Sequence, residues 1–264
     1  MSTSGDNPFA SPEGTSYEPP QEEGGGSVIP RSSVDYMEAV SDVFGNPNWF
    51  VNILLAGVAF LLSAVIPVVG ALFAWGYIGE IIGARAYGRT NSYPDFDLNR
   101  LGDYVMRGLW MSLAAFAVSM CVVPIMMLAW GVMAALMATN NDALAVVGFV
   151  IYFVMIIAGN LFVFFVTCPI VIRAGMLNDL VSAFDFKWIM DFIRKMWVEL
   201  FLGGIVLYFV AMFFMLIGCL ALCVGYIPAA GAVAVMGGLF ITQLYQVYVY
   251  RGGEALPFKE ATKL

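Results

Sequence analysis

The sequence contains no histidine, which excludes an imidazole base, a His-ligated metal and a haem held by a His axial ligand. Charge is scarce as well. Only 12% of the 264 residues are Asp, Glu, Lys or Arg, where a typical soluble domain carries roughly 25%. There is no Walker loop, no Gly-x-Ser-x-Gly, no thiol beside a base and no cluster of metal-binding carboxylates. The four cysteines, Cys121, Cys168, Cys219 and Cys223, all fall inside apolar runs. Cys219 and Cys223 share a helix face, but two ligands without histidine or acidic neighbours make no zinc site. They read as small buried apolar residues. The expectation is a protein without enzymatic activity, bound cofactor or metal, and with no nucleic-acid partner.

What fills the chain is apolar. Sixty-one per cent is hydrophobic, with 21 Phe and 16 Met, and the mean hydropathy is +0.85. This composition predicts an all-α integral membrane protein. The net charge of -7 is carried in large part by a polar N-terminal segment. Residues 1–33 are rich in Ser, Pro, Gly and Glu, too poor in apolar surface to offset the entropy of ordering, and predict a disordered tail. They lack the basic start, apolar stretch and cleavage site of a signal peptide. Asn7-Pro8-Phe9 matches a short docking motif, though three residues carry little information.

A hydrocarbon layer about 30 Å thick needs roughly 20 apolar residues per helix. Six stretches predict spans: Trp49 to Ile66, Val68 to Tyr87, Leu109 to Met137, Ala143 to Ile172, Val198 to Cys223 and Ala229 to Tyr250. Pro124 and Pro169 are candidate kinks in the two longest. The turns at Ile66–Gly70, Thr139–Asp142 and Ile227–Gly231 contain no Lys or Arg. All twelve basic residues fall on the other side, so the positive-inside rule predicts that both termini face the cytoplasm. The domain reading is a tail over 1–33, a six-helix membrane domain over 34–255 and a short cytoplasmic tail over 256–264. Trp49, Trp110, Trp188, Trp197, Tyr87, Tyr104, Tyr245 and Tyr248 cluster near the basic side, as an interfacial belt would.

Phe96-Asp97 and Asp103 recur as Phe184-Asp185 and Asp191, 88 residues later, and Arg85 recurs as Arg173. Ile66-Pro67-x-x-Gly70-Ala71 echoes in Ile227-Pro228-x-x-Gly231-Ala232. The unit is a helical hairpin followed by an amphipathic segment, and successive copies point the same way. Three parallel-repeat hairpins with cytoplasmic amphipathic linker helices result. Asp97 and Asp185 stand where N-caps would start those linkers. Asp103 with Arg107, and Asp191 with Lys195, have the spacing of helical ion pairs. With Arg85 and Arg173 they form a candidate rim for lipid headgroups or ions.

Glu80, within a span, is the main candidate for a polar site. The small-residue face of Gly79 and Gly83 permits close helix contact, with Gln243 or Gln246 of the last span as candidate partners. Asn52, Asn160 and Thr167 read as hydrogen-bonding glue between helices.

The turns, the Trp75-Gly76-Tyr77 step with Arg85, and Tyr93-Pro94-Asp95-Phe96-Asp97 leading into Gly108-Leu109 resemble a known family. It is the prokaryotic polytopic membrane family catalogued as domain of unknown function 4013. The second unit, Ser182-Ala183-Phe184-Asp185, lacks the proline. The resemblance implies a fold and a membrane location and carries no catalytic residue. More distantly, the layout is similar to the membrane portion of some glycerophosphodiester phosphodiesterases. The leading functional expectation is a membrane scaffold or accessory subunit whose partners are the lipid bilayer and other membrane proteins. Transport of an ion or small solute past Glu80, or lipid handling, are the alternatives.

Overall fold

The computed structural model describes residues 28–90, 92–139, 141–220 and 224–259. Among them every regular element is helical. The helices are α1 (Tyr36–Ser41), α2 (Trp49–Val65), α3 (Pro67–Ala86), α4 (Leu101–Met137), α5 (Asp142–Leu177), α6 (Leu180–Ala183), α7 (Phe186–Leu220) and α8 (Tyr226–Tyr250). Five are long and apolar enough to cross a membrane. A sixth joins them if α1 and α2, bent by 104° across a short break, count as one broken span.

Local chemistry sets the boundaries. Ile66 ends α2, and Pro67 follows at the first turn of α3, where its missing N–H costs nothing. Asn141 caps α5 by accepting from the N–H groups of Ala143 and Leu144 at 3.0 and 3.3 Å. Asn178 ends the same helix in the left-handed region, with φ of 50°. Asp97 accepts from Asn99 N at 2.8 Å, and Asp185 from Lys187 N and Trp188 N at 3.1 and 3.3 Å, so both act as N-caps.

The expected linker helices do not stand apart. α4 and α7 run unbroken for 37 and 35 residues, taking the amphipathic segments in as their first turns. No proline or paired glycine interrupts either before its apolar stretch, and Tyr104, Met111, Phe192 and Met196 of those turns are buried in the core. At 1.5 Å per residue, α4 is about 55 Å long. α4 and α5 also continue through Pro124 and Pro169.

Neighbouring helices close a ring in the order α2, α3, α4, α5, α7, α8 and back to α2, and α3 also touches α8 across the middle. α3 and α8 are accordingly the most enclosed, with 61% and 78% of their apolar windows buried, whereas α5 buries none of its own. Glycine permits the closest approach. A Cβ on Gly57 would lie 1.9 Å from Ile227 O, and one on Gly231 1.7 Å from Ile53 O, so α2 and α8 meet backbone to backbone.

Several polar and aromatic expectations are corrected. Tyr104, Tyr245, Tyr248 and Trp188 are buried in the core rather than displayed as a belt, because each polar tip finds a partner, in a connecting segment for Tyr104, Tyr245 and Trp188 and at Asp191 of α7 for Tyr248. Asn52 bonds the α3–α4 loop, Asn160 bonds its own helix at Ile156 O, and Thr167 Oγ1 has no partner among the described residues. Cys168 is buried, but Cys121 and Cys219 are exposed on apolar helices; Cys223 lies outside the described residues. So does Asn7-Pro8-Phe9.

Candidate functional site

Glu80 is 8% exposed and sits where the basic ends of α3 and α4 meet. Its Oε1 accepts from Arg100 Nη2 at 3.1 Å, and its Oε2 lies 3.6 Å from Arg107 Nε. Arg100 also reaches Asp103 at 3.4 Å, so the four side chains carry two charges of each sign. Arg107 is the most enclosed of these, at 3% exposure. Its Nη1 donates to Gly175 O at 2.9 Å, near the end of α5. That partner follows from helix geometry, because the last carbonyls of a helix lack internal donors and carry partial negative charge. The spacing-based pairing of Asp103 with Arg107 is therefore not formed. Burial draws Arg107 toward Glu80 of α3, and Asp103 takes Arg100 instead.

A segment that follows α8 covers this cluster. After the turn at Gly252 (φ of +74°) the chain runs back across the helix ends. Lys195 Nζ donates to Gly252 O at 3.0 Å, and Trp188 Nε1 to Glu254 O at 3.2 Å. Leu256, 4% exposed, gives its N–H to the Tyr245 hydroxyl at 2.7 Å and accepts the Tyr87 hydroxyl on its carbonyl. The Phe258 ring packs on Gly83 between two guanidinium groups, Arg89 at 4.8 Å and Arg107 at 4.3 Å. Lys259 N donates to Met176 O at 2.8 Å, and Asn178 Nδ2 to Lys259 O at 2.9 Å. The stretch expected as a short cytoplasmic tail from residue 256 is packed through Lys259, which adds a donor and an acceptor beside the Asn178 cap at the end of α5.

The two glutamines lie elsewhere. Gln243 Oε1 accepts from Asp35 N at 2.9 Å, and Gln246 Nε2 donates to Arg85 O at 3.4 Å. Gln243 holds the N-terminal segment and Gln246 the end of α3, and neither meets Glu80. Gly79, on the Glu80 turn, faces Met111 and Arg107 of α4 rather than α8. In the N-terminal segment Val28 is buried, and Ile29 N donates to Ala86 O at 2.9 Å. Val28 is therefore packed and Ile29 bonded, although both fall inside the stretch expected as tail. Arg85 pairs with Asp42 at 2.8 Å and lies 4.0 Å from Glu38.

The remaining rim residues form their own local pairs and do not join one ring. Arg173 reaches Asp185 at 3.3 Å, donates to Ser182 O at 2.8 Å and lies over Trp188 at 5.2 Å. Asp191 accepts from Lys195 at 2.9 Å, as its spacing predicts, and from the Tyr248 hydroxyl at 2.9 Å. Among the described residues no group of His, Cys, Asp and Glu could hold a metal ion.

Sequence reasoning missed a second polar cluster. Asp95 accepts amide N–H groups from Asn46, Asn48 and Asn52 at 3.0, 2.8 and 2.9 Å. Asn52, 1% exposed, also accepts Phe96 N at 2.9 Å, and Tyr77 donates its hydroxyl to Pro94 O at 3.0 Å. Burial alone would raise the Asp95 carboxyl, but the three amides outweigh it and hold the group below its ordinary value. The Tyr93–Asp97 motif is a lock that seats the α3–α4 loop on the start of α2.

These features define an all-α protein with the helices of a multi-pass membrane protein and an ion cluster enclosed at its basic end. The chain belongs to the family described as protein of unknown function DUF4013, whose model matches residues 59–224. The match includes Glu80, Arg100 and Arg107 but neither the segment at Phe258 nor the asparagines at 46, 48 and 52. No curated protein and no solved structure matches the chain.

Proposed function

We propose that the chain is a membrane scaffold or accessory subunit without enzymatic activity. In this reading it crosses the bilayer six times as three parallel-repeat hairpins, with both termini in the cytoplasm. Five or six sufficiently apolar helices support the crossing. Lys and Arg confined to one end support the orientation. The repeat gains support from α3 and α8, which begin with matching Ile-Pro-x-x-Gly turns and lie side by side, Ile78 and Ile81 against Gly238.

The observation that carries the functional reading is the state of Glu80. A carboxylate that binds and releases a travelling ion needs an open approach and a changeable partner. Glu80 instead has each oxygen beside a guanidinium, and the more buried of the two is covered by Phe258 and Lys259. Such an arrangement fixes helices in place. The test is purification of the full-length chain in mild detergent, with mass spectrometry of every protein retained. A partner at fixed stoichiometry supports the reading. A solute flux into proteoliposomes that Glu80→Gln abolishes, in a variant that still folds, overturns it.

A further inference from the structure

At the foot of α7, away from Glu80, Lys187, Asp191 and Arg194 recur at spacings of four and three and share one helix face. With Asp185, Trp188, Met190, Tyr248 and Glu254 they line an open pocket of about 590 Å³. Part of its wall is fixed. Asp191 is held by Lys195 and Tyr248, and Trp188 by the Glu254 carbonyl. The ammonium of Lys187, the guanidinium of Arg194 and the carboxylate of Glu254 are different: none has an ion-pair partner among the described residues. Among the described residues, two cations and one anion without ion-pair partners thus face the pocket, beside the paired carboxylates of Asp185 and Asp191 and two buried aromatic rings.

The surroundings are apolar yet uncovered. Val181, Phe186, Met190 and Trp197 are 84%, 77%, 50% and 60% exposed around the same foot. Large apolar and aromatic side chains left exposed beside charged ones are the composition of a surface seated in the headgroup layer of a bilayer. A ligand matching this setting carries a phosphate for the two cations, an amine for the carboxylate, and an apolar body for the rim.

We propose that this pocket binds the headgroup of an aminophospholipid of the phosphatidylethanolamine type. Lys187 and Arg194 hold the phosphate. Glu254 takes the ammonium through a charge-assisted hydrogen bond. A purely anionic headgroup satisfies the cations but leaves Glu254 repelled. The inference rests on the reading that α7 enters the bilayer from this end.

The test titrates full-length protein in mild detergent with short-chain phosphatidylethanolamine, short-chain phosphatidylglycerol or soluble phosphoethanolamine, counting bound molecules by native mass spectrometry. Phosphatidylethanolamine should be retained most tightly. The Lys187→Ala, Arg194→Ala double variant should weaken it about tenfold or more, and Glu254→Gln should erase the preference over phosphatidylglycerol while binding persists. Both sites are exposed, so elution on size exclusion should match the parent; Lys187→Gln alone serves as a milder second variant. Unchanged retention in these cation variants overturns the site. Equal retention of both lipids by the parent overturns the amine assignment, and equal binding of phosphoethanolamine makes the ligand a soluble one. Release of the protein from membranes by alkaline carbonate would instead sink the membrane reading, independently of any lipid count.

Discussion

The Phe258 ring lies over the guanidinium of Arg107, 4.3 Å from its central carbon to the ring centroid, so the end of the described chain closes over its most deeply buried charge. Arg107 is thereby held from three directions: by Glu80 of α3, by the last turn of α5 at Gly175 O, and by the segment after α8.

Phe258→Ala should loosen that closure. Losing the ring removes its packing on Gly83 and its contacts with Arg89 and Arg107, at a cost of about 1–3 kcal/mol for a half-buried aromatic. Limited proteolysis in detergent should then cut after residue 250 faster than in the parent, while Phe258→Tyr stays protected. Equal cleavage of all three would show that the segment is held without the ring.

The asparagine cluster gives a pH signature. The folded Asp95 carboxyl sits below its unfolded value, so its contribution to stability is fully present above about pH 4. It is lost as pH falls through the lower folded value. Asn52→Ala removes the amide to Asp95 and the acceptor for Phe96 N, and should cost about 1–3 kcal/mol at neutral pH. Melting curves from pH 3 to 7 check both points: the Asn52→Ala deficit should shrink toward the acid end. A deficit independent of pH would mean that the carboxylate form of Asp95 contributes nothing.

Two glycines of α8 should respond in opposite ways to alanine. At Gly231 the new Cβ would meet Ile53 O at 1.7 Å, forcing α2 and α8 apart, at about 1–3 kcal/mol or more. Gly237 has nothing within 4 Å of that position, so alanine there should be neutral or stabilise by up to about 1 kcal/mol through helix propensity. Thermal unfolding of the two variants side by side separates close packing from backbone entropy.

Orientation can be read with reporters. A fusion after Leu264 should be active only in the cytoplasm, and one inserted at Asn140 only outside. The reverse pattern would overturn the charge argument.

What the sequence made legible follows from how far each signal reaches along the chain. Asp97 and Asp185 could be placed because a cap acts on N–H groups two or three residues away. The helices could be placed because an apolar run declares itself. The partner of Arg107 could not: its spacing from Asp103 pointed to a pair within one helix, while the real partner comes from α3, 27 residues earlier. The covering role of Leu256 and Phe258 was equally hidden, since residues 256–264 read only as a short cytoplasmic tail. Asn46, Asn48 and Asn52 left a trace in their density beside an apolar helix. Only the fold shows that all three turn to one carboxylate, more than forty residues away.

The most direct measurement compares unfolding of Glu80→Gln, Arg107→Gln and the double variant with the parent in detergent, with solute flux followed in parallel. Glu80→Gln alone should lose about 3 kcal/mol, because it leaves a buried guanidinium without its counter-charge. The double variant should recover part of that loss, and flux should not depend on either residue. A Glu80→Gln protein as stable as the parent that has lost a flux would contradict a structural role and make Glu80 part of a transport path.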